Sequence, residues 1–441
     1  MILKKNYWIL LCVVIVPVTA ALFFLQNCKK NRVEPNVVLI VLDTLRADHL
    51  PFYGYKKETA PFLTKIASQS IVFDNAFAAS SWTAPSTASI FTSLYPFQHG
   101  VTAGYLASKF HRTRLNRIPA KIKTITEVLK EKGYKTYGAA DNINICEKIG
   151  FTQGFDRFKR FPYEDESKMN RHLEKWSLEM KAQKKYFLYI HYNDCHTPLH
   201  KRPPFYREQA DHLADLIAQY DSEIHHVDAK IKEMYELFGW EENTLLIITA
   251  DHGEELKERG RWGHGSTLYS EVIRVPFLIY FPGKERRHKR IRENVGNIDI
   301  LPTVRNYLGI KSGETEAGVN LMPLIKGKNN TPGDRYIFSH LLKQKRKGKS
   351  KKVIHRATIF KEWKSIYREQ SRDSYKREFY NLLTDPGEKV NAFMENKSLA
   401  SRLFIKFISF EKKCKKFKQE TEDVKLGKKK MEELKSLGYV K

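Results

Sequence analysis

Asn36 to Leu42 reads NVVLIVL, a run of apolar, β-favouring residues that ends at the carboxylate Asp43. Strands buried on both faces of a parallel sheet read this way, because neither face meets water. The pattern returns at Tyr186 to Ile190, Leu245 to Ile248 and Phe277 to Phe281. Between these runs, apolar positions recur with helical spacing at Ala60 to Ser68, Thr124 to Glu131, Ser167 to Lys181 and Arg207 to Phe238. The alternation predicts a doubly wound, mostly parallel α/β sheet. In such sheets reactive groups gather where strands end at their carboxyl edge, so the polar residues just past each run are the first candidates.

Both ends of the chain depart from this pattern. Tyr7 to Leu25 is an uncharged, mostly apolar stretch that nearly spans a hydrocarbon layer of about 30 Å at about 1.5 Å per residue. Lys4 and Lys5 precede it and Lys29, Lys30 and Arg32 follow, so flanking charge does not set its orientation. It reads as a signal anchor, as a lipoprotein signal ending at Cys28, or as a cleaved secretory signal, and each puts residues 33 to 441 outside the cytoplasm. Residues 1–32 are therefore read as a membrane anchor or signal segment and 33–334 as the α/β domain that carries the candidate site. Residues 335–441 are a small α+β subdomain in which Val353 to Tyr367 predicts a hairpin and Glu411 to Lys435 a lysine-rich helix.

Composition narrows the picture. With 26 Phe, 22 Tyr and 6 Trp the chain has the apolar surface to fold, and five scattered Cys do not make a disulfide scaffold. The formal charge is +27, and Leu341 to Lys352 holds seven basic residues and no acid. Beside a membrane such a loop attracts anionic headgroups. No nucleic acid partner is expected.

Asp43 closes the first run and Asp251-His252-Gly253 closes another. Two acids and an imidazole at sheet edges suit a divalent cation of the Zn or Mn type, with Ca or Mg the alternatives. Trp82 to Thr92 reads as a loop turning into a helix with Pro85 in its first turn, which places Thr83 at the positive end of that helix, either as a plain N-cap or as a nucleophile beside a cation. Asp221 and His225, four apart on a helix, are a solvated or structural pair before they are a second metal site. Glu254 and Glu255 read as acids in the first turn of a helix.

These residues resemble the sulfatases of the alkaline phosphatase superfamily. The resemblance is carried by the strand ending at Asp43, by KETAPFLTKIASQSIVFDNAFA, SWTAPSTASIFTSLYPFQHGV and ITADHGEELKERGRWGHGSTLYSEVIRVPFLIY, and by YIHYNDCHTPL, IDILPT, EFYNLLTDPGEKVN and ELKSLGYV. It implies an alkaline-phosphatase-like fold, a nucleophile at Thr83, a divalent metal held by Asp43, Thr83, Asp251 and His252, and contacts to the transferred group from His196 and His264. It also shows departures. Formylglycine sulfatases carry Cys or Ser at the nucleophile and Arg four positions on, where this chain has Thr83 and Thr87. Thr44 replaces the second Asp of an Asp-Asp pair, and Ala140-Asp141-Asn142-Ile143 stands where many sulfatases have Gly-Lys-Trp-His.

A Thr nucleophile implies the superfamily's phosphoryl branch: cleavage or transfer of a phosphate ester, a phosphodiester included. The alternatives are sulfate ester hydrolysis without formylglycine and a non-catalytic surface binding protein on the same fold. The charge adds a directional expectation, a polyanionic or lipid-linked ester as substrate. For such a substrate kcat/KM is expected to fall as ionic strength rises from about 0.01 to 0.15 M, over which the Debye length shrinks from roughly 30 to 8 Å. A small ester with a neutral tail should respond less; equal responses would mean that the basic runs play no part in substrate capture.

Overall fold

Strand β1 (Asn36–Leu42) forms where the sequence places its densest apolar run, and Val37 to Val41 are completely buried. Each such side chain contributes on the order of 1.5–3 kcal/mol relative to exposure. The computed structural model describes residues 34–105, 112–162, 166–327, 335–344, 352–371 and 374–436. By its contacts the chain divides into Met1–Pro35 and Asn36–Lys441. The apolar segment Tyr7 to Leu25, Cys28 and most of the basic loop at 343 to 352 lie outside the described residues. Among the described residues no helix is long and apolar enough to cross a membrane.

Around β1 lie β2 (Ile71–Phe77), β4 (Lys135–Ala140), β5 (Arg157–Arg160), β6 (Tyr186–Tyr192), β7 (Thr244–Ala250), β10 (Arg274–Val275), β11 (Phe277–Tyr280) and β12 (Lys289–Gly296). Among the described residues they make one nine-stranded sheet in the order β10-β2-β11-β7-β1-β6-β4-β5, with β12 also on β2. The sheet is mixed. The strand beginning at Phe277, expected among the parallel runs, lies antiparallel to both β7 and β2. A run buried on both faces does not encode its direction, since side-chain burial is the same either way.

Register brings the strand ends together. Leu42 pairs with Tyr192 of β6 and with Ala250 of β7, both in parallel, so Asp43 and Asp251 leave adjacent strands at the same edge. Ala140 pairs with His191, which brings the turn after β4 to that edge as well.

Past the main sheet, β13 (Ile337–Gln344), β14 (Lys352–Phe360), β15 (Trp363–Ser371) and β16 (Ser374–Asn381) form an antiparallel sheet, with β14 and β15 the expected hairpin. The helix Lys397–Lys413 packs on it through Phe407, which meets Phe338, and Phe404, which stacks on Tyr367. His340 N–H donates to Ala79 O and Ser339 Oγ to Ala78 O, tying this sheet to the chain just ahead of Thr83. The single helix expected over Glu411 to Lys435 is instead the end of one helix, a strand β17 (Glu420–Lys425) and a second helix Lys428–Ser436. Strand β17 pairs with β3 (Arg112–Arg117), a long-range partner that overrides local helix preference.

The helix Pro61–Ala67 has no side-chain cap of its own at Ala60. Asp228, from the long helix His212–Phe238, supplies one by accepting from Phe62 N–H at 2.9 Å and Leu63 N–H at 2.7 Å. Asp228→Ala is therefore expected to cost about 1–2 kcal/mol of stability in urea unfolding, as loss of a cap does; an unchanged midpoint would show that the cap is dispensable.

Candidate active site

Thr83 opens the helix Thr83–Thr92, and the N-cap is Trp82, in extended conformation and without a capping side chain. The Thr83 hydroxyl is thus free of the capping role. Its Oγ1 lies 3.3 Å from Asp43 Oδ2 and 3.4 Å from His252 Nε2. Ser86 Oγ donates to Asp251 O at 2.5 Å, fastening the first turn of this helix to the end of β7. Thr83, Asp43, Asp251 and His252 are all fully buried.

The two oxygens of Asp43 have different surroundings. Oδ2 accepts from Asn142 Nδ2 at 2.5 Å, lies 3.2 Å from His191 Nε2, and faces Thr83. Oδ1 accepts no hydrogen bond, and neither does Asp251 Oδ2. Burial pushes the Asp43 carboxyl up, but the His191 hydrogen bond and the imidazoles of His252 and His196 outweigh it and hold the group below its ordinary range. Asp251 goes the other way, raised well above the carboxylate range by burial and by the charge of Asp43. Burial also drives His252 down to about 3, so its ring is neutral. Its Nδ1 is 2.9 Å from Gly253 O, which only accepts, so the proton sits on Nδ1 and the Nε2 lone pair faces the acids. From Nε2 the distances are 3.4 Å to Asp43 Oδ1 and 3.6 Å to Asp251 Oδ2.

Two carboxylates and an imidazole lone pair facing one another in a buried site, crowded enough to raise the Asp251 carboxyl, make the arrangement that a cation resolves. Asp43, His191 and Asp251 offer ligand atoms all within 4.8 Å of one another, and His252 Nε2 adds a fourth. Two donors on one Zn at bond lengths of 2.0–2.1 Å in a tetrahedron stand about 3.3 Å apart, close to the 3.4 and 3.6 Å from His252 Nε2 to the two carboxylates. The donors fit a divalent cation, and the imidazole nitrogens fit Zn or Mn better than Ca, which takes oxygen.

Beyond His252 the rings of His264 and His196 continue the wall, with centroids 4.5 Å from His252 to His264 and 5.0 Å from His264 to His196. Both Glu254 carboxylate oxygens are 3.3 Å from His264 Nδ1, and burial raises Glu254 to about 7. Glu254 and Glu255 do not open a helix. Gly253 packs where any Cβ would stand 2.2 Å from Glu271 O, and the chain runs on into a short strand, β8 (Glu255–Leu256). All six candidates from the sequence, Asp43, Thr83, His196, Asp251, His252 and His264, thus meet at one sheet edge.

Thr44, at the position of the missing second acid, is left-handed with φ 58° and donates its hydroxyl to Asp43 O, so it turns toward the backbone. Asp221 accepts from His49, Tyr55 and Lys57 while His225 stacks on Phe205, which makes this pair structural. Sequence reasoning passed over His191 and named Asn142 only as part of a departure from the family pattern, without a role. An imidazole in the otherwise apolar run YFLYIHY was a readable signal for the first; an Asn in a loop gave none for the second.

The sulfatase family model matches residues 35–310, and a model described as the C-terminal region of N-sulphoglucosamine sulphohydrolase matches 259–412. An ulvan-active sulfatase of Formosa agariphila is 24% identical over 345 residues, covering 66% of this chain and 65% of the relative. A second from the same organism is covered over 58% of its length, so the chain spans under two thirds of these two relatives. Human arylsulfatase A is 24% identical over 69% of this chain and 70% of its own. Among solved structures, a 2-O GAG sulfatase superposes with a TM-score of 0.68 at 19% identity, over 86% of this chain and 93% of the other. The phosphonate monoester hydrolase of Agrobacterium radiobacter also gives 0.68, at 16% identity, over 86% and 95%.

The geometry predicts that Asp251→Asn combined with His252→Ala abolishes metal uptake, while His191→Ala weakens Zn affinity by about 10- to 100-fold or more. Equilibrium dialysis with elemental analysis reads both; full occupancy in the double variant would put the ligands elsewhere.

Proposed function

The chain belongs to the sulfatase family, and from that membership we propose that it is a metal-dependent enzyme that cleaves or transfers a phosphate ester, phosphodiesters included, through Thr83. The observation that carries the reading is the Thr83 hydroxyl, uncapped and buried, between Asp43 Oδ2 and the lone pair of His252 while two carboxylate oxygens beside it have no partner. Asp43, Asp251, His252 and His191 would hold the cation, which when bound would supply positive charge beside the Thr83 hydroxyl and the transferred group.

The protein's own groups account for the rest. Thr83 Oγ attacks phosphorus as its proton passes to Asp43 Oδ2, forming an Oγ–P bond and breaking the bond to the leaving oxygen. Glu254 orients His264 through Nδ1, and the His264 imidazolium protonates that oxygen. Attack by water on the Thr83 ester then regenerates the hydroxyl, or another alcohol takes the group. His196, its Nδ1 2.5 Å from Thr197 O, is a contact for the transferred group. The enzyme works outside the cytoplasm, tethered through residues 7–25, on a polyanionic or lipid-linked ester.

A sulfate ester is the second reading, favoured by the sulfatases among the curated relatives. Against it stands Thr83 itself, since the methyl on its Cβ leaves no route to a formylglycine. Thr83→Ala is expected to lower turnover by several orders of magnitude with the fold intact by circular dichroism; near-normal activity would remove the nucleophile assignment. Aryl phosphates, bis-aryl phosphodiesters and aryl sulfates assayed side by side decide the ester. A sulfate rate about tenfold above the phosphodiester rate, about 1.4 kcal/mol in the barrier, would reverse the order.

A further inference from the structure

His264 sits directly after a short hairpin, β8 (Glu255–Leu256) and β9 (Trp262–Gly263), paired Glu255 to Gly263 and Leu256 to Trp262. Two residue pairs of ladder are too little to hold a ring in place, since isolated hairpins are marginal at best. The turn between them uses Lys257 at φ 74° and Gly260 at φ 75°, and Gly263 follows at φ 116°. Its rigidity has to come from elsewhere, and at the tip stands Arg259.

The Arg259 guanidinium is used on every side. Nε donates to Glu271 Oε1 at 2.7 Å, Nη1 to Glu388 O at 3.1 Å and Nη2 to Gly387 O at 2.9 Å, while the plane lies 3.4 Å from the Tyr269 ring centroid. Gly387 and Glu388 belong to the Asp385-Pro386-Gly387-Glu388 turn that follows β16, in the C-terminal subdomain. That turn is itself pinned. Glu388 is left-handed at φ 52° and almost fully buried, its carboxylate accepting from Ser270 N–H at 2.5 Å and pairing with buried Lys364 at 2.9 Å. Glu271 is the residue whose carbonyl Gly253 packs against, next to His252. One guanidinium therefore joins the hairpin that leads into His264, the segment behind Gly253, and the C-terminal subdomain.

We infer that Arg259 is a positioning residue: it clamps the β8–β9 hairpin to the turn at 385–388 and so holds His264 over the leaving oxygen, which makes the C-terminal subdomain part of the catalytic apparatus. The planar fork is what the role requires, because two carbonyls and a carboxylate are met at once; a lysine ammonium has the charge without the fork. The inference rests on the assignment of His264 as the acid.

A mispositioned acid leaves a signature that a general loss of stability does not. Esters with poor leaving groups need the proton and suffer, whereas esters with good leaving groups do not. The test compares Arg259→Ala, Arg259→Lys and His264→Ala on an alkyl ester and a para-nitrophenyl ester of the same phosphodiester, with metal content and melting temperature measured on each variant. Arg259→Ala is expected to lower kcat on the alkyl ester by about 10²-fold and on the para-nitrophenyl ester by less than about fivefold, with Arg259→Lys between it and the native enzyme. Added to His264→Ala it should cause no further loss, because the group it positions is gone. An equal fall on both esters, or a further loss in the double variant, would overturn the clamp. If His264→Ala itself shows no dependence on leaving group, the assignment of the acid fails instead, and the two failures are told apart. Should Arg259→Ala not fold, Arg259→Lys and Glu271→Gln carry the same comparison.

Discussion

Two carboxylates buried within reach of each other govern this structure. Asp43 and Asp251 leave neighbouring parallel strands at the same register, and nothing between β1 and β7 separates their charges. Both cannot be ionised side by side in a buried site unless something positive joins them. The protein answers part of the demand with the Asn142 amide, which donates to Asp43 Oδ2 at 2.5 Å, while Tyr189 holds the His191 ring by its hydroxyl at 2.8 Å. The remaining demand, on Asp43 Oδ1 and Asp251 Oδ2, points to a divalent cation as a component of the fold as well as of the chemistry.

The architecture follows from serving that edge. The strand order puts β6, β1 and β7 side by side, so three carboxyl ends contribute His191, Asp43 and Asp251-His252. The helix Thr83–Thr92 then brings a hydroxyl to the cluster with its positive end toward incoming anionic charge. The second sheet, which could pass for an appendage, grips both sides of the site: Ser339 and His340 hold the chain before Thr83, and the turn at 385–388 holds the hairpin before His264.

What the sequence disclosed, and what it hid, divides along the range of the interactions. Asp43, Asp251 and His252 stand out because each follows an apolar run, and Thr83 because Pro85 marks a helix start. Alternation also gave the α/β class and the hairpin of β14 and β15. His191 was passed over because attention went to residues after strands, and it lies within one. The role of Asn142 and the clamp at Arg259 depend on partners 99 and 128 residues away, which no local pattern encodes. The tail was misread for the same reason: lysine-rich spacing suggested a helix where pairing with β3 imposes a strand. The helix expected at Glu254 failed on a single contact, the close approach of Gly253 to Glu271 O.

The proposed chemistry turns on Thr83 Oγ1 as the atom that takes the transferred group. Rapid quenching of the metal-loaded enzyme during turnover of a phosphodiester, followed by proteolysis and mass spectrometry, addresses it directly. A phosphoryl adduct is expected on the peptide that begins the helix Thr83–Thr92, with fragmentation placing it on Thr83 and with formation and decay as fast as turnover. An adduct on another residue, or full turnover with no adduct at any quench time, would contradict the account.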